Sequence, residues 1–211
     1  MSQTRKPEIE DRIVAAARQV FAERGFAAAS IADIAARAQI STGNVYRYFP
    51  GKDEVFAAAV PSSVVDELRT LVRSRVRALR GVADVGTLPP DAPYRVLSDQ
   101  LLQFSIDHRL AMVIVLGRGE GTPYAGFAEE LRKQLISLAV AHAASLQPSV
   151  KLAPATRFVL EQIYRGFLAS LAGILVHYES PEDIRDAVER FSTYHLTGLA
   201  RLFSTEQAKE R

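Results

Sequence analysis

The chain has 211 residues, 48% of them hydrophobic and 24% charged, which allows one large domain or two small ones with a real core and excludes a disordered chain. Its formal charge is only +2, and residues 1–60 carry 8 Lys and Arg against 7 Asp and Glu, so nucleic-acid binding there must rest on placed donors and not on a bulk basic field. The lack of cysteine excludes disulfides, thiolate metal sites and cysteine nucleophiles.

The opening MSQTRKPEIEDR is polar, with no apolar segment of the kind a signal peptide needs. Continuous apolar runs such as Ala111 to Leu116 are too short to span a bilayer. The expectation is a soluble, cytoplasmic protein with no membrane partner. Ile9, Ile13, Val14, Ala17, Val20 and Phe21 then recur at spacings of 3 and 4, one helical stripe that stops near Gly25. Ser30 reads as the N-cap of a short helix, with Asp33 three residues on to complete the cap. A break at Gln39-Ile40-Ser41 precedes a second short helix from Thr42 to Tyr48, which Pro50-Gly51 ends. A long run from Lys52 to about Arg80 contains Pro61, which predicts a kink or a brief break there.

Residues 81–93 hold three prolines and two glycines and read as an exposed loop. Helical stretches follow at about 93–107, 107–117, 124–146, 154–178 and 181–204. Leu160, Ile163, Phe167, Leu171, Ile174 and Tyr178 form one stripe, and Ile184, Val188, Phe191, Leu199 and Leu202 another. With no alternating strand pattern, the fold is expected to be all-α, with about nine helices.

Two short helices joined by a three-residue turn and docked on a longer helix make a helix-turn-helix. Ile34, Ala35, Ala38, Ile40, Val45 and Tyr48 suit its inner side. The outer side of the second helix then offers Ser41, Thr42, Gly43, Asn44, Tyr46 and Arg47. These are hydroxyls, an amide and a guanidinium suited to base edges and phosphates. Gly43 lets a backbone come close. Tyr48 could belong to either side.

This segment, with Phe21, Gly25, Ser30, Ile34-Ala35, Gly43, Tyr46, Phe49, Lys52, Glu54 and Val55-Phe56 at their spacings over about residues 9–57, resembles the amino-terminal domain of the TetR family of bacterial transcription regulators. The resemblance implies a helix-turn-helix DNA-binding domain at 1–52 and a helical effector-binding and dimerisation domain at 53–211. It implies that Thr42, Gly43, Asn44 and Tyr46 touch bases or backbone, that Tyr48 and Lys52 grip phosphates, and that Ser41 begins the recognition helix. Ser30 and Arg47 complete the expected DNA-binding set. One position departs from the family: Gln39 stands where a glycine with positive φ is usual.

The implied partners are double-stranded operator DNA, a small apolar or amphipathic effector, and a second copy bound through about 154–178 and 181–204. Phe104, His108, Met112, Tyr124, Phe127, His142, Tyr164 and Phe167 are the aromatic or polar groups suited to an effector cavity, each also readable as plain core. The implied function is a repressor, released from its operator by the effector, with Pro61 as a hinge; an activator, or a small-molecule-binding or enzymatic helical bundle with a vestigial helix-turn-helix, is the alternative.

No catalytic residue, cofactor or metal is expected. Gly117, Gly119 and Gly121 lack the preceding strand and following Lys of a phosphate loop, and His108, His142, His177 and His195 lack ligand spacing. His195 reads as a core or interface residue. The arginines at 69, 73, 75, 77 and 80 read as a solvated face, or alternatively as a surface for an anionic ligand or DNA.

Overall fold

The computed structural model describes residues 6–82, 85–146 and 153–209. The polar opening at 1–5 and part of the predicted loop, 83–84, lie outside the described residues. Ten α-helices form among the described residues, with one 3-10 turn at Val85–Thr87. They are α1 (Pro7–Ala28), α2 (Ile31–Arg37), α3 (Thr42–Tyr48), α4 (Lys52–Ala59), α5 (Ser62–Arg77), α6 (Pro93–Asp107), α7 (Arg109–Gly117), α8 (Phe127–Leu146), α9 (Pro154–His177) and α10 (Pro181–Lys209). Four of these helices begin on proline, whose fixed φ suits the first turn and whose missing N–H would find no partner there.

Pro61 breaks the long predicted run outright. Val60 leaves the helical region (φ −128°, ψ 77°), as a residue before proline tends to, and α5 restarts with the Val64 amide on the Pro61 carbonyl at 3.1 Å. At Gly25 (φ 75°, ψ 165°) the first helix kinks; this left-handed conformation costs glycine little.

The chain divides into two compact units, Met1–Glu67 with His108–Phe127, and Leu68–Asp107 with Ala128–Arg211. In the first, α1 packs against α2, α4 and α7. The core there is Ile13, Ala17, Val20, Phe21, Ile34, Val45, Val55 and Phe56, each no more than 4% exposed. Phe21, Phe26 and Phe56 meet ring to ring at 5.2–5.7 Å. This unit reaches past residue 52 because Val55, Phe56 and Ala59 of α4 are buried and α7 packs on α1.

In the second unit α10 packs on α9 and α6, and Leu160, Tyr164 and Leu199 form a core flanked by Leu135, Ile136 and Ala139 of α8. The predicted stripes of the last two helices supply these residues. By length and composition alone α9 would suffice to cross a membrane: an 18-residue window has a mean hydropathy of 1.4, with 28% of it buried. Single charges interrupt it in the sequence, which hides its length from a count of continuous apolar runs. Leu160, Tyr164, Leu168 and Leu175 of α9 are buried, as in a bundle helix.

Candidate nucleic-acid interface

The first unit presents α3 as an outward helix on a rigid support. Ser30 begins that support. Its hydroxyl accepts from the Asp33 amide at 3.1 Å, while the Asp33 carboxylate accepts from the Ser30 amide at 3.0 Å, a closed capping box. The Ser30 hydroxyl also donates to Asp33 Oδ2 at 2.7 Å. These bonds from Ser30, with Arg24 at 2.7 Å, hold the Asp33 carboxyl below its ordinary value.

Between α2 and α3 the turn runs through Gln39 in the left-handed region (φ 54°), the only non-glycine with positive φ among the described residues. Arg12 of α1 donates to the Ala38 carbonyl at 2.5 Å, tying the turn to the long helix. Ser41 then caps α3, its hydroxyl accepting from the Asn44 amide at 3.2 Å.

The faces of α3 separate cleanly. Val45, Tyr48 and Phe49 are buried, while Ser41, Thr42, Gly43, Tyr46 and Arg47 are exposed and Asn44 is half-buried. Tyr46 is 56% exposed. A Cβ on Gly43 would meet only the Ser41 hydroxyl, at 4.0 Å, so the helix start is open to a large neighbour.

Two predicted residues sit deeper than the others. The Tyr48 hydroxyl accepts from the Lys6 amide at 3.0 Å, which pulls its pKa down. The Arg47 guanidinium lies 5.4 Å from the Tyr48 ring centroid. Tyr48 thus pins α3 to the start of α1. Lys52 donates to the carbonyls of Phe26 and Ala29 at 2.8 and 3.0 Å and sits 4.4 Å from the Phe26 ring centroid. Two of its three N–H donors cap the end of α1.

The predicted effector residues are divided between the two units. His108, Met112, Tyr124 and Phe127 fall in the first unit; Phe104, His142, Tyr164 and Phe167 fall in the second. Tyr124 lies with Phe56, ring centroids 6.1 Å apart. A Cβ on Gly119 would come within 2.9 Å of the Tyr124 carbonyl oxygen, so that glycine serves close packing of a loop between α7 and α8. Burial lowers the pKa of His142.

The arginine run also divides. Arg73, Arg77 and Arg80 are exposed as a solvated face would be, but Arg75 is half-buried and donates to the hydroxyls of Tyr94 and Ser98. Arg75 borders the buried stripe of Leu68, Val72 and Val76.

Residues 13–59 match the family model described as bacterial regulatory proteins, tetR family. Over 99 residues the chain is 39% identical to the HTH-type transcriptional repressor Rv3405c of Mycobacterium tuberculosis, a match covering 47% of this chain and 50% of that protein. The HTH-type transcriptional regulator Mb3439c of Mycobacterium bovis matches to the same extent. The matched region thus spans about half the length of these curated relatives. Among solved structures, the ketosteroid transcriptional regulator KstR2 of Mycobacterium tuberculosis shares the fold, with a TM-score of 0.54 at 20% identity over 93% of this chain and 96% of that one. Residues 13–59 are thus similar to bacterial regulatory proteins of the tetR family, and the chain shares its all-helical fold with a solved transcriptional regulator.

Proposed function

We propose that the chain is a DNA-binding transcriptional regulator that reads a palindromic operator as a homodimer and represses until a small-molecule effector releases it. The observation that carries this reading is α3 itself. A seven-residue helix buries Val45 and Tyr48, yet leaves Thr42, Gly43, Tyr46 and Arg47 in solvent. Arg47 and Tyr46 reach base edges and phosphates, with Thr42 and Asn44 beside them. Tyr48 and Lys52 position α3 against α1, and the remaining Lys52 donor and the Tyr48 hydroxyl proton serve a phosphate. Ser41 and Ser30 cap the two helices. The printed description of Rv3405c as a repressor supports the sign of regulation. A protein that works on chromosomal DNA works in the cytoplasm.

The dimer is assigned to α9 and α10. Phe158 and Val176 are 61% and 56% exposed, and a Cβ on Gly166 or Gly173 between them would meet nothing within 4 Å. An apolar helix face left open in one chain supports a second copy as its cover. The effector site is assigned to the second unit, where Phe104, His142, Tyr164 and Phe167 lie.

Replacing Tyr46 or Arg47 with Ala should weaken operator binding by about 1–3 kcal/mol and leave the thermal midpoint unchanged, since both are exposed. Fluorescence anisotropy on a labelled duplex from beside the protein's own gene measures the first effect. Wild-type affinity in both variants would remove α3 from the interface.

A further inference from the structure

The second unit contains a polar cluster that its own packing leaves incomplete. Arg75 of α5 carries a permanent charge, yet it donates only to neutral hydroxyls: Ser98 Oγ at 2.8 Å and Tyr94 Oη, with its guanidinium carbon 4.6 Å from the Tyr94 ring centroid. No carboxylate pairs with it among the described residues. Two acidic groups of the neighbouring helices act on other arginines: Asp186 of α10 holds Arg190 at 2.8 Å, and the field of Glu161 of α9 acts on Arg132.

Tyr164 of α9 and His195 of α10 share this neighbourhood. Their rings meet edge to face at 5.2 Å, and the Arg75 charge acts on both. The two residues are 6% and 9% exposed, and neither the Tyr164 hydroxyl nor a ring nitrogen of His195 has a hydrogen-bond partner among the described residues. Burial raises the Tyr164 pKa and pushes that of His195 down to about 4, so both are neutral near pH 7. Flat apolar surface lines the same place. Phe167 lies 4.1 Å from His195 and stacks on Phe191 at 5.4 Å, 17° from parallel.

A guanidinium without a counter-charge is suited to a planar anion that accepts from its fork. We infer that the effector of this unit is a carboxylate with a flat aromatic body, its carboxylate held by Arg75 and Tyr164 and its ring laid along Phe167 and Phe191. This names the chemical class of the effector and rests on the effector-released reading above. His195 donates one ring N–H to the same carboxylate. An uncharged isostere lacks the term that Arg75 supplies.

The test is calorimetric titration of the full chain with naphthoate and with its neutral amide, naphthamide. Naphthoate should bind, and naphthamide at least about tenfold more weakly. Arg75→Gln should lose about tenfold or more in naphthoate affinity. Tyr164→Phe should lose several-fold yet keep its apo thermal midpoint, because the hydroxyl it removes has no partner to lose. No heat from naphthoate at about 1 mM, equal binding of the amide, or unchanged affinity in both variants would overturn the inference. The same samples are titrated with the operator duplex. Naphthoate binding without release of DNA keeps the carboxylate site and sinks only the effector role, whereas DNA binding by a chain that ignores naphthoate sinks the site alone.

Discussion

Gln39 holds a left-handed backbone (φ 54°) at the turn that sets the angle of α3. A side chain there costs on the order of 1 kcal/mol relative to glycine. Gln39→Gly should therefore stabilise the protein by about 0.5–1 kcal/mol, read as a higher denaturant midpoint at unchanged slope; a loss of stability would mean that the Gln39 side chain contributes more than its strain costs. This position was legible in the sequence because the family's glycine marks the conformation. Tyr48 was not legible. An amphipathic ring fits either face of a short helix, and the contact that decides it comes from Lys6, 42 residues away. Arg75 was hidden in the same way. Within a run of arginines its charge looks like its neighbours', and only Tyr94, 19 residues on, sets it apart.

Elements were far more legible than contacts. Helical periodicity, prolines at helix starts and the Ser30 cap are local signals, and the observed bounds of α6 (Pro93–Asp107) and α9 (Pro154–His177) fall within a residue of those expected. Pro61 was visible as a fault, but whether it kinks or ends a helix depends on the φ and ψ of Val60, which packing fixes. α5 runs unbroken from Ser62 to Arg77, and the proposed effector response assigns the Pro61 break as its hinge. Pro61→Ala should change the effector concentration needed for release more than it changes operator affinity; equal change in both would remove the hinge.

The pairing of α9 with α10 makes a pH prediction at the same scale. His195 has a folded pKa of about 4, against about 6.5 when unfolded, through burial first and the Arg75 charge second. The folded state therefore binds fewer protons. Its full stability is present above about pH 6.5 and is lost as pH falls toward 4, by roughly 2–3 kcal/mol. His195→Gln should flatten the stability profile across that window relative to wild type, and an unchanged difference between pH 7 and pH 4.5 would refute a buried neutral imidazole.

At the scale of the whole molecule, the proposed DNA-reading segment is legible in the sequence and the proposed effector site is not. The reason is physical. A recognition helix is read from residues within one turn of each other, and its solvent-facing chemistry survives in the pattern. A cavity in a bundle is built from helices far apart in the chain, and the sequence pattern holds no rule for which aromatic residues on central helices meet. Four of the eight belong to the first unit, and Arg75, on which the proposed carboxylate site rests, is not among them. The proposed two-fold arrangement belongs to this scale as well. Residues 1–60 carry a net charge of only +1, and a second copy would double the one short helix each chain offers to DNA. Two copies would present recognition helices about 34 Å apart, or a multiple of it, to successive major grooves.

The most direct test of the central claim is titration of the purified protein into a palindromic duplex from beside its own gene, at several salt concentrations, with Tyr46→Ala alongside. The proposed regulator binds with two chains per duplex or a multiple of two. Its affinity falls steeply with salt, a scrambled duplex binds at least about a hundredfold more weakly, and the variant loses about 1–3 kcal/mol. No binding at low salt, or equal binding to the scrambled duplex with Tyr46→Ala indistinguishable from wild type, would contradict it.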